Sequence, residues 1–245
     1  MGNIFVALVL IGAAGAAWGE SSLTSELEAV ATRYHENAAR LDTLRESLAQ
    51  TAGAKPEVDT LVALARVSFI WGDIRAATTE QKLEAYDQGR QAAMRALARA
   101  PRNAAAHFWF ATNTARWGQT KGILRSLFLF PTIQEEIRTV IVLDPGFTAV
   151  YALAGAVYYE VPGIFGGDLD LAEQMFRRGL EQDPRFTGMR VGLGKTLLKK
   201  RRVAEGRREL QAVLEEKAPT NPADWTVKDA PQARALLDSV RAGSS

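Results

Sequence analysis

Four segments of the chain end in the same way, with a helically spaced stretch of small and apolar residues that leads to a proline. The prolines are Pro101, Pro145, Pro184 and Pro219, and the intervals between them are 44, 39 and 35 residues. Intervals of this length are typical of helix-pair repeats, in which each pair buries its apolar face against the next. Because runs of strictly alternating apolar and polar residues are absent, the spacing predicts an array of helices.

The residues within these intervals follow a known repeat pattern. Counted from Thr148, Gly155 takes the small eighth place of the first helix, and Phe176 takes the aromatic place of the second helix. Gly194 takes the small place of the next unit, counted from Thr187. Small residues let paired helices approach closely, and larger ones fill the groove beside them. The chain resembles the tetratricopeptide repeat (TPR) family, which implies an all-α, TPR-like helix-pair array (an α-solenoid) with inserted loops.

The N-terminal segment has the features of a signal peptide. No charged side chain occurs from Met1 to Gly19, Ile4 to Ile11 is apolar, and glycines and alanines follow. We therefore expect a periplasmic or secreted protein. An uncleaved anchor or a hydrophobic first helix is the alternative that the sequence leaves open.

The remaining pattern predicts a signal peptide over residues 1–19 and a single helical repeat domain over residues 20–245. The clearest repeats and a capping helix at the C-terminus are predicted at 104–145, 146–184, 185–219 and 229–242.

Other local signals give finer expectations. Ser22 to Gln50 is predicted to be one long helix, and Trp71-Gly72-Asp73 a break between helices. Thr78-x-x-Gln81 has the spacing of a capping box. Ile123 to Phe130 is an apolar run that either forms a core plug, which we favour, or an exposed contact surface. Lys199-Lys200-Arg201-Arg202 is predicted to be a solvated corner.

The composition argues against several classes of function. With 30 basic and 28 acidic residues, the net charge is +2 and no broad basic face for nucleic acid is indicated. The chain has no cysteine and two histidines, which leaves little basis for a metal site or a nucleophilic triad. No two carboxylates occur in a pattern typical of a paired catalytic acid and base. We therefore predict no enzyme, no metal, no cofactor and no nucleic-acid partner.

Two insertions indicate a more specific group within the TPR proteins. Trp71-Gly72-Asp73 precedes a long helix, and Pro162-Gly163-Ile164-Phe165-Gly166-Gly167-Asp168 precedes Ala172. Over roughly residues 61–214 the chain looks like the T component of periplasmic TRAP-type transporters. This resemblance implies an accessory subunit that contacts a solute-binding protein and takes an apolar ligand. Family members are often lipoproteins tethered through a cysteine, which this chain lacks. The regulators of microtubule dynamics share part of the pattern and are a weaker match.

The repeat register also predicts candidate binding residues, because the first helix of each pair usually lines the concave surface. These candidates, together with those from the glycine-rich insertion, are Phe108, Thr112, Arg116, Tyr159, Glu160, Lys195, Lys199, Phe165, Gly166 and Gly167. The alternative for the groove residues is packing or solvated surface. For the insertion it is a tight helix start, with Asp168 as the cap and Phe165 in the core.

Two functions fit these expectations. The first is the transport accessory subunit, and the second is a general TPR protein-interaction scaffold in the cell envelope. A homo-oligomer is compatible with both.

Overall fold

The computed structural model describes residues 14–242, with side chains from residue 22 onward. Ten helices pack in consecutive pairs, and a short helix, a π-helical turn and a last helix follow. In chain order they are α1 (Ala14–Arg33), α2 (Arg40–Ala54), α3 (Val58–Ile74), α4 (Thr79–Arg99), α5 (Ala104–Lys121), α6 (Ile123–Leu143), α7 (Ala149–Glu160), α8 (Leu169–Gln182), α9 (Thr187–Lys199), α10 (Val203–Glu215), α11 (Pro222–Asp224), the π turn (Trp225–Asp229) and α12 (Ala230–Ala242). No strand occurs in the described residues, and the all-α helix-pair fold is confirmed.

Close approach between helices depends on the small residues of the repeat register. A Cβ added to Gly155 of α7 would lie 2.6 Å from the Phe176 ring of α8. A Cβ on Gly194 of α9 would lie 2.8 Å from Leu210 of α10. Both glycines therefore let a large side chain of the paired helix pack directly on the backbone, as the register predicts.

The core consists of three apolar clusters that follow one another along the array. The first is built from α1 to α5 together with Ala223 of α11, the second from α5 to α9, and the third from α9, α10 and α12. Helices α5 and α9 each contribute to two clusters, so they join neighbouring parts of the core.

The two ends of the array meet. Tyr34, just after α1, donates a hydrogen bond to Asp224 at 2.6 Å, across 190 residues of sequence. Asn221 donates to the carbonyl of Ala31 at 3.2 Å, and Ala223 is fully buried in the first cluster. The segment after α10 therefore packs against the first helices as well as the last ones.

Two predicted boundaries are wrong. The expected helix from Ser22 to Gln50 is divided by a turn between α1 and α2, where Tyr34 folds into the core. Trp71-Gly72-Asp73 lies inside α3 and is not a break. Its glycine serves packing, because a Cβ on Gly72 would lie 2.5 Å from the Tyr86 ring of α4.

The capping box is confirmed, with Gln81 N–H donating to Thr78 Oγ1 at 3.2 Å and Thr78 N–H to Gln81 Oε1 at 3.3 Å. Most of the predicted signal peptide, residues 1–13, lies outside the described residues. Within the described part, no helix is both long and apolar enough to cross a membrane.

Candidate functional site

Candidate residues of α7 and α9 come together around one tyrosine ring. Lys195 and Lys199 are one turn apart on α9, and their Nζ atoms lie 4.6 and 4.5 Å from the centre of the Tyr159 ring. Lys199 Nζ donates to the carbonyl of Tyr159 at 3.3 Å, and Lys195 Nζ donates to Glu160 Oε1 at 3.4 Å. The predicted Tyr159, Glu160, Lys195 and Lys199 are thus neighbours in space.

A cavity of about 170 Å³ adjoins these side chains, with walls from α7, α8, α9 and α12. We call it the Tyr159 groove, and its lining residues are Ala152, Ala156, Tyr159, Glu160, Phe176, Gly188, Val191, Gly192, Lys195 and Gln232. Burial, reinforced by Glu160, raises the pKa of Tyr159, so its phenol stays neutral at physiological pH. The groove therefore combines an apolar floor with a basic rim on which two lysines face one carboxylate.

Arg116 belongs to a different polar cluster, formed around a buried carboxylate. Arg116 donates to Asp73 Oδ1 from Nη2 at 2.6 Å and from Nε at 3.0 Å, and Tyr86 OH donates to the same oxygen at 2.7 Å. Lys228 Nζ of the π turn is 3.6 Å from Asp73 Oδ2. Burial opposes the charged form of Asp73, but Arg116 and Lys228 outweigh it and lower its pKa. We call Asp73, Tyr86, Arg116 and Lys228 the Asp73 node.

Phe108 and Thr112 lie in the core, which corrects the expectation that they line a groove. Phe108 is 6% exposed and packs its ring against Trp109 and Phe147. Thr112 is 7% exposed and donates its hydroxyl to the Phe108 carbonyl at 2.8 Å. The cause is that α5 contacts α3 and α7 as well as its partner α6, so these register places are enclosed.

The glycine-rich insertion is a single 3-10 turn, Gly163–Phe165, followed by the start of α8. Gly166 has a φ of +98°, which favours glycine. A Cβ on Gly167 would lie 1.7 Å from the carbonyl oxygen of Val161. Backbone geometry therefore accounts for both glycines without a ligand.

The same insertion ends in a helix cap. The carboxylate of Asp168 accepts hydrogen bonds from the backbone N–H of Asp170 at 2.7 Å and of Leu171 at 3.0 Å. The predicted cap is therefore present, but the accompanying expectation of a buried Phe165 is wrong, because half of this residue is exposed.

A second cavity, of about 250 Å³, lies between α5, the first half of α6 and the end of α7. Its walls are largely apolar and consist of Ala115, Gln119, Ile123, Ser126, Leu127, Phe130, Ile133, Val157, Glu160, Val161 and Pro162. The apolar run at residues 123–130 is divided between the two interpretations. Phe130 is buried in the core, whereas Leu124 and Phe128 are exposed.

Sequence reasoning missed a charge cluster beside the Tyr159 groove. Glu173 of α8 accepts hydrogen bonds from Lys200 at 2.6 Å, Arg202 at 2.7 Å and Arg177 at 2.8 Å. The run of basic residues after α9 is therefore partly a structural tie and not only a solvated corner. The Glu173-x-x-x-Arg177 spacing was the one local signal for it.

In the described part of the chain, no group of three or more His, Asp or Glu side chains is placed to hold a metal ion.

Comparisons with known proteins agree with this architecture. Residues 24–164 match the family profile described as Regulator of microtubule dynamics protein 1-3, and residues 166–228 match a tetratricopeptide repeat profile. No curated protein matches the chain.

Two solved structures show the same fold. TTC0263, a thermophilic TPR protein of Thermus thermophilus, superposes with a TM-score of 0.61 at 17% identity, over 88% of this chain and 97% of that one. MamA 41-end from Desulfovibrio magneticus RS-1 gives a TM-score of 0.51 at 13% identity, over 80% and 95%. The profile match spans more than half of the chain. The chain therefore belongs to the Regulator of microtubule dynamics protein 1-3 family, the group that the sequence analysis placed second.

Proposed function

We propose that this member of the regulator of microtubule dynamics family is a TPR-type scaffold that binds an acidic segment of a protein partner in the Tyr159 groove. One observation carries the proposal. Lys195 and Lys199 project from the same face of α9 and both contact the Tyr159 ring. Lys195 is paired with the carboxylate of Glu160, whereas Lys199 donates to the backbone carbonyl of Tyr159.

The chemistry of the groove fits such a segment. An extended acidic peptide would place carboxylates on the two ammonium groups and an apolar side chain in the cavity beside Phe176 and Val191. Gln232 of α12 can donate to a peptide carbonyl from the opposite wall. Because Glu160 is about half exposed, a partner carboxylate can displace it from Lys195 at little cost.

The test is fluorescence anisotropy with a labelled glutamate-rich peptide that carries one leucine, against the same peptide with glutamine at each glutamate position. We expect the glutamate peptide to bind more tightly, with an affinity that falls as salt is added. The double variant Lys195→Glu, Lys199→Glu should abolish binding. Lys217→Glu changes an exposed lysine outside the groove and is the matched control.

Equal affinity for both peptides would contradict the proposal. So would a loss of peptide binding in the Lys217→Glu control equal to that in the double variant. The name of the family makes a microtubule one candidate for the acidic partner. Co-sedimentation with polymerised tubulin, using the same variants, tests that candidate.

A transport-associated role is the second candidate, and the cavity between α5, α6 and α7 favours it. The glycine-rich insertion borders a largely apolar cavity of about 250 Å³, which can take an apolar ligand while the outer surface contacts a solute-binding protein. The proposal includes a periplasmic location. Cell fractionation with intact-mass measurement tests export and signal removal, and native mass spectrometry tests the co-purified ligand and the number of subunits.

In that experiment, a cytoplasmic chain of full mass that carries no ligand would argue against the transport role and leave the groove proposal standing.

A further inference from the structure

The first turns of α6 carry large apolar side chains that project away from the protein. Leu124 and Phe128 are four residues apart, so they share one face of the helix, and they are 82% and 73% exposed. Ile164, in the 3-10 turn after α7, is 87% exposed. We call Leu124, Phe128 and Ile164 the α6 ridge.

Ile164 belongs to a segment that packs against α6 although it is distant from that helix in sequence. The cavity beside α6 is lined by Ile123 from the helix and by Pro162 from the segment that leads to Ile164. The backbone of Gly166 also packs on α6, since a Cβ there would lie 3.0 Å from the Phe130 ring. Two elements that pack on each other thus each carry exposed, large apolar side chains. A patch of this kind is usually a contact site.

Two cations lie beside the α6 part of the ridge. Lys121 Nζ and Arg125 Cζ lie 5.4 and 5.7 Å from the centre of the Trp117 ring, and both side chains are exposed. Neither acidic residue type occurs in residues 117–133 or in residues 161–167. Two cations and an indole therefore accompany the α6 residues of the ridge, and Glu160 at the end of α7 lines the adjacent cavity.

We propose that the α6 ridge docks this protein on the surface of an anionic lipid bilayer. Apolar side chains that protrude can enter the boundary between headgroups and acyl chains, while lysine and arginine remain at the level of the phosphates. Trp117 lies beside the two cations, in the position that indoles prefer at membrane interfaces. A peptide groove would instead be lined by half-buried side chains, and the ridge side chains are largely exposed.

The absence of cysteine from the chain allows a local test. Phe128→Cys is labelled with an environment-sensitive fluorophore in the full-length protein. Val142→Cys is the matched control, because Val142 is 79% exposed on the same helix but lies outside the ridge. The probe is a vesicle of phosphatidylcholine containing about 30% phosphatidylserine, with pure phosphatidylcholine as reference. We expect a blue shift at position 128 with anionic vesicles and none at position 142.

A second measurement gives the strength of docking. In vesicle co-sedimentation, Leu124→Ser and Ile164→Ser should each weaken binding to anionic vesicles about tenfold, because each removes one inserted side chain. Lys121→Gln with Arg125→Gln should remove most of the preference for anionic over neutral vesicles. Val142→Ser should leave both quantities unchanged. Since the N-terminal apolar segment is the same in every variant, its own affinity for lipid cancels in these differences.

Three results would overturn the proposal. The first is the same fluorescence shift at positions 128 and 142, and the second is no dependence on phosphatidylserine. The third is a concentration-dependent dimer that Leu124→Ser dissociates without lipid, which would make a second copy of this chain the occupant of the ridge. Size-exclusion chromatography with light scattering measures that last outcome.

Discussion

The Asp73 node and the Tyr159 groove are built at comparable places of the repeat, yet they differ in how far their cations are neutralised within the protein. Arg116 on α5 and Lys195 with Lys199 on α9 were predicted from the same register to face a groove. Arg116 is bound by Asp73, whose side chain is 10% exposed and which also accepts from Tyr86. Lys195 pairs with one half-exposed carboxylate, Glu160, and Lys199 with a backbone carbonyl.

The repeat register therefore fixes the direction of a side chain but not the contacts that it makes. At the node, α3, α4 and the C-terminal segment all bring a group to the same point, so the charge becomes part of the structure. At the groove, α12 lies beside the first half of α9 but contributes no counter-charge to Lys195 or Lys199. A partner can supply that charge. Four changes test this contrast, beginning with the one that should have the largest effect.

Asp73→Ala should break the node. It removes the carboxylate that holds Arg116 and Lys228 and leaves two cations without their shared partner. We expect the free energy of unfolding in urea to fall by about 3–5 kcal/mol. Glu84→Ala removes a carboxylate that is 75% exposed and paired with Arg45, so it should cost less than about 1 kcal/mol. Similar losses in the two variants would show that the node contributes no more than a surface ion pair.

Glu173→Gln should weaken the tie between α8 and the turn after α9. Burial opposes the charged form of Glu173, but hydrogen bonds from Lys200, Arg177 and Arg202 outweigh it and lower its pKa to about 2. We expect a loss of about 2 kcal/mol at pH 7. Because the folded-state pKa is depressed, the contribution is present above the ordinary pKa of 4.5 and disappears as the pH falls towards 2.

The matched control for Glu173→Gln is Glu205→Gln, which removes a carboxylate from the same Arg202 on the surface. A loss that does not shrink in acid would contradict an electrostatic role for Glu173.

Asp229→Asn should stabilise the protein at neutral pH. Burial raises the pKa of Asp229 to about 6, and Asp224 adds to this effect. Since the folded-state pKa is higher than the ordinary value of 3.8, the folded protein binds the proton more tightly, and stability falls as pH rises between these values. An asparagine still accepts from Thr187, so we expect a gain of about 1–2 kcal/mol at pH 8 and no gain at pH 4. Thermal unfolding of both proteins at the two pH values measures it, and an equal gain at both would refute the assignment.

The combined change Lys195→Ala and Lys199→Ala should have the smallest effect on stability, below about 0.5 kcal/mol, because both side chains reach solvent and one of them has a weak ion pair. The same variant should lose binding to the glutamate-rich peptide. A large loss of stability would place these lysines with the Asp73 node and remove the basis of the contrast.

Local sequence patterns predicted those parts of the structure that depend on nearby residues. The Thr78 and Gln81 capping box and the contact of Gly155 with Phe176 both follow from spacing within one helix or one helix pair. The Asp73 node could not be predicted in this way, because Arg116 is 43 residues from Asp73 and Lys228 belongs to a different unit. The burial of Phe108 and Thr112 likewise depends on how neighbouring pairs enclose α5.

The candidate site was predictable to a limited degree for the same reason. Register brought Tyr159, Glu160, Lys195 and Lys199 into one group because α7 and α9 occupy equivalent positions in successive pairs. It gave no signal for the counter-charges, which come from other pairs. The exposure of Leu124 and Phe128 was also undecided. A continuous apolar run lacks the periodic polar residues that would show which face of the helix is buried and which is exposed.

The hydrogen bond between Tyr34 and Asp224 changes how the whole array can unfold. In an open solenoid, stability is roughly a sum over neighbouring units, so a terminal unit can fray alone. Here the first and last units are also neighbours, and contacts of Tyr34, Asn221 and Ala223 close the array into a ring. Complete unfolding of the first or the last unit must break these contacts, which couples the two ends in one cooperative transition. A contact that closes a 190-residue loop is costly in entropy and is expected to form late in folding. The hydrogen bond between Tyr34 and Asp224 therefore forms only when the rest of the array is in place.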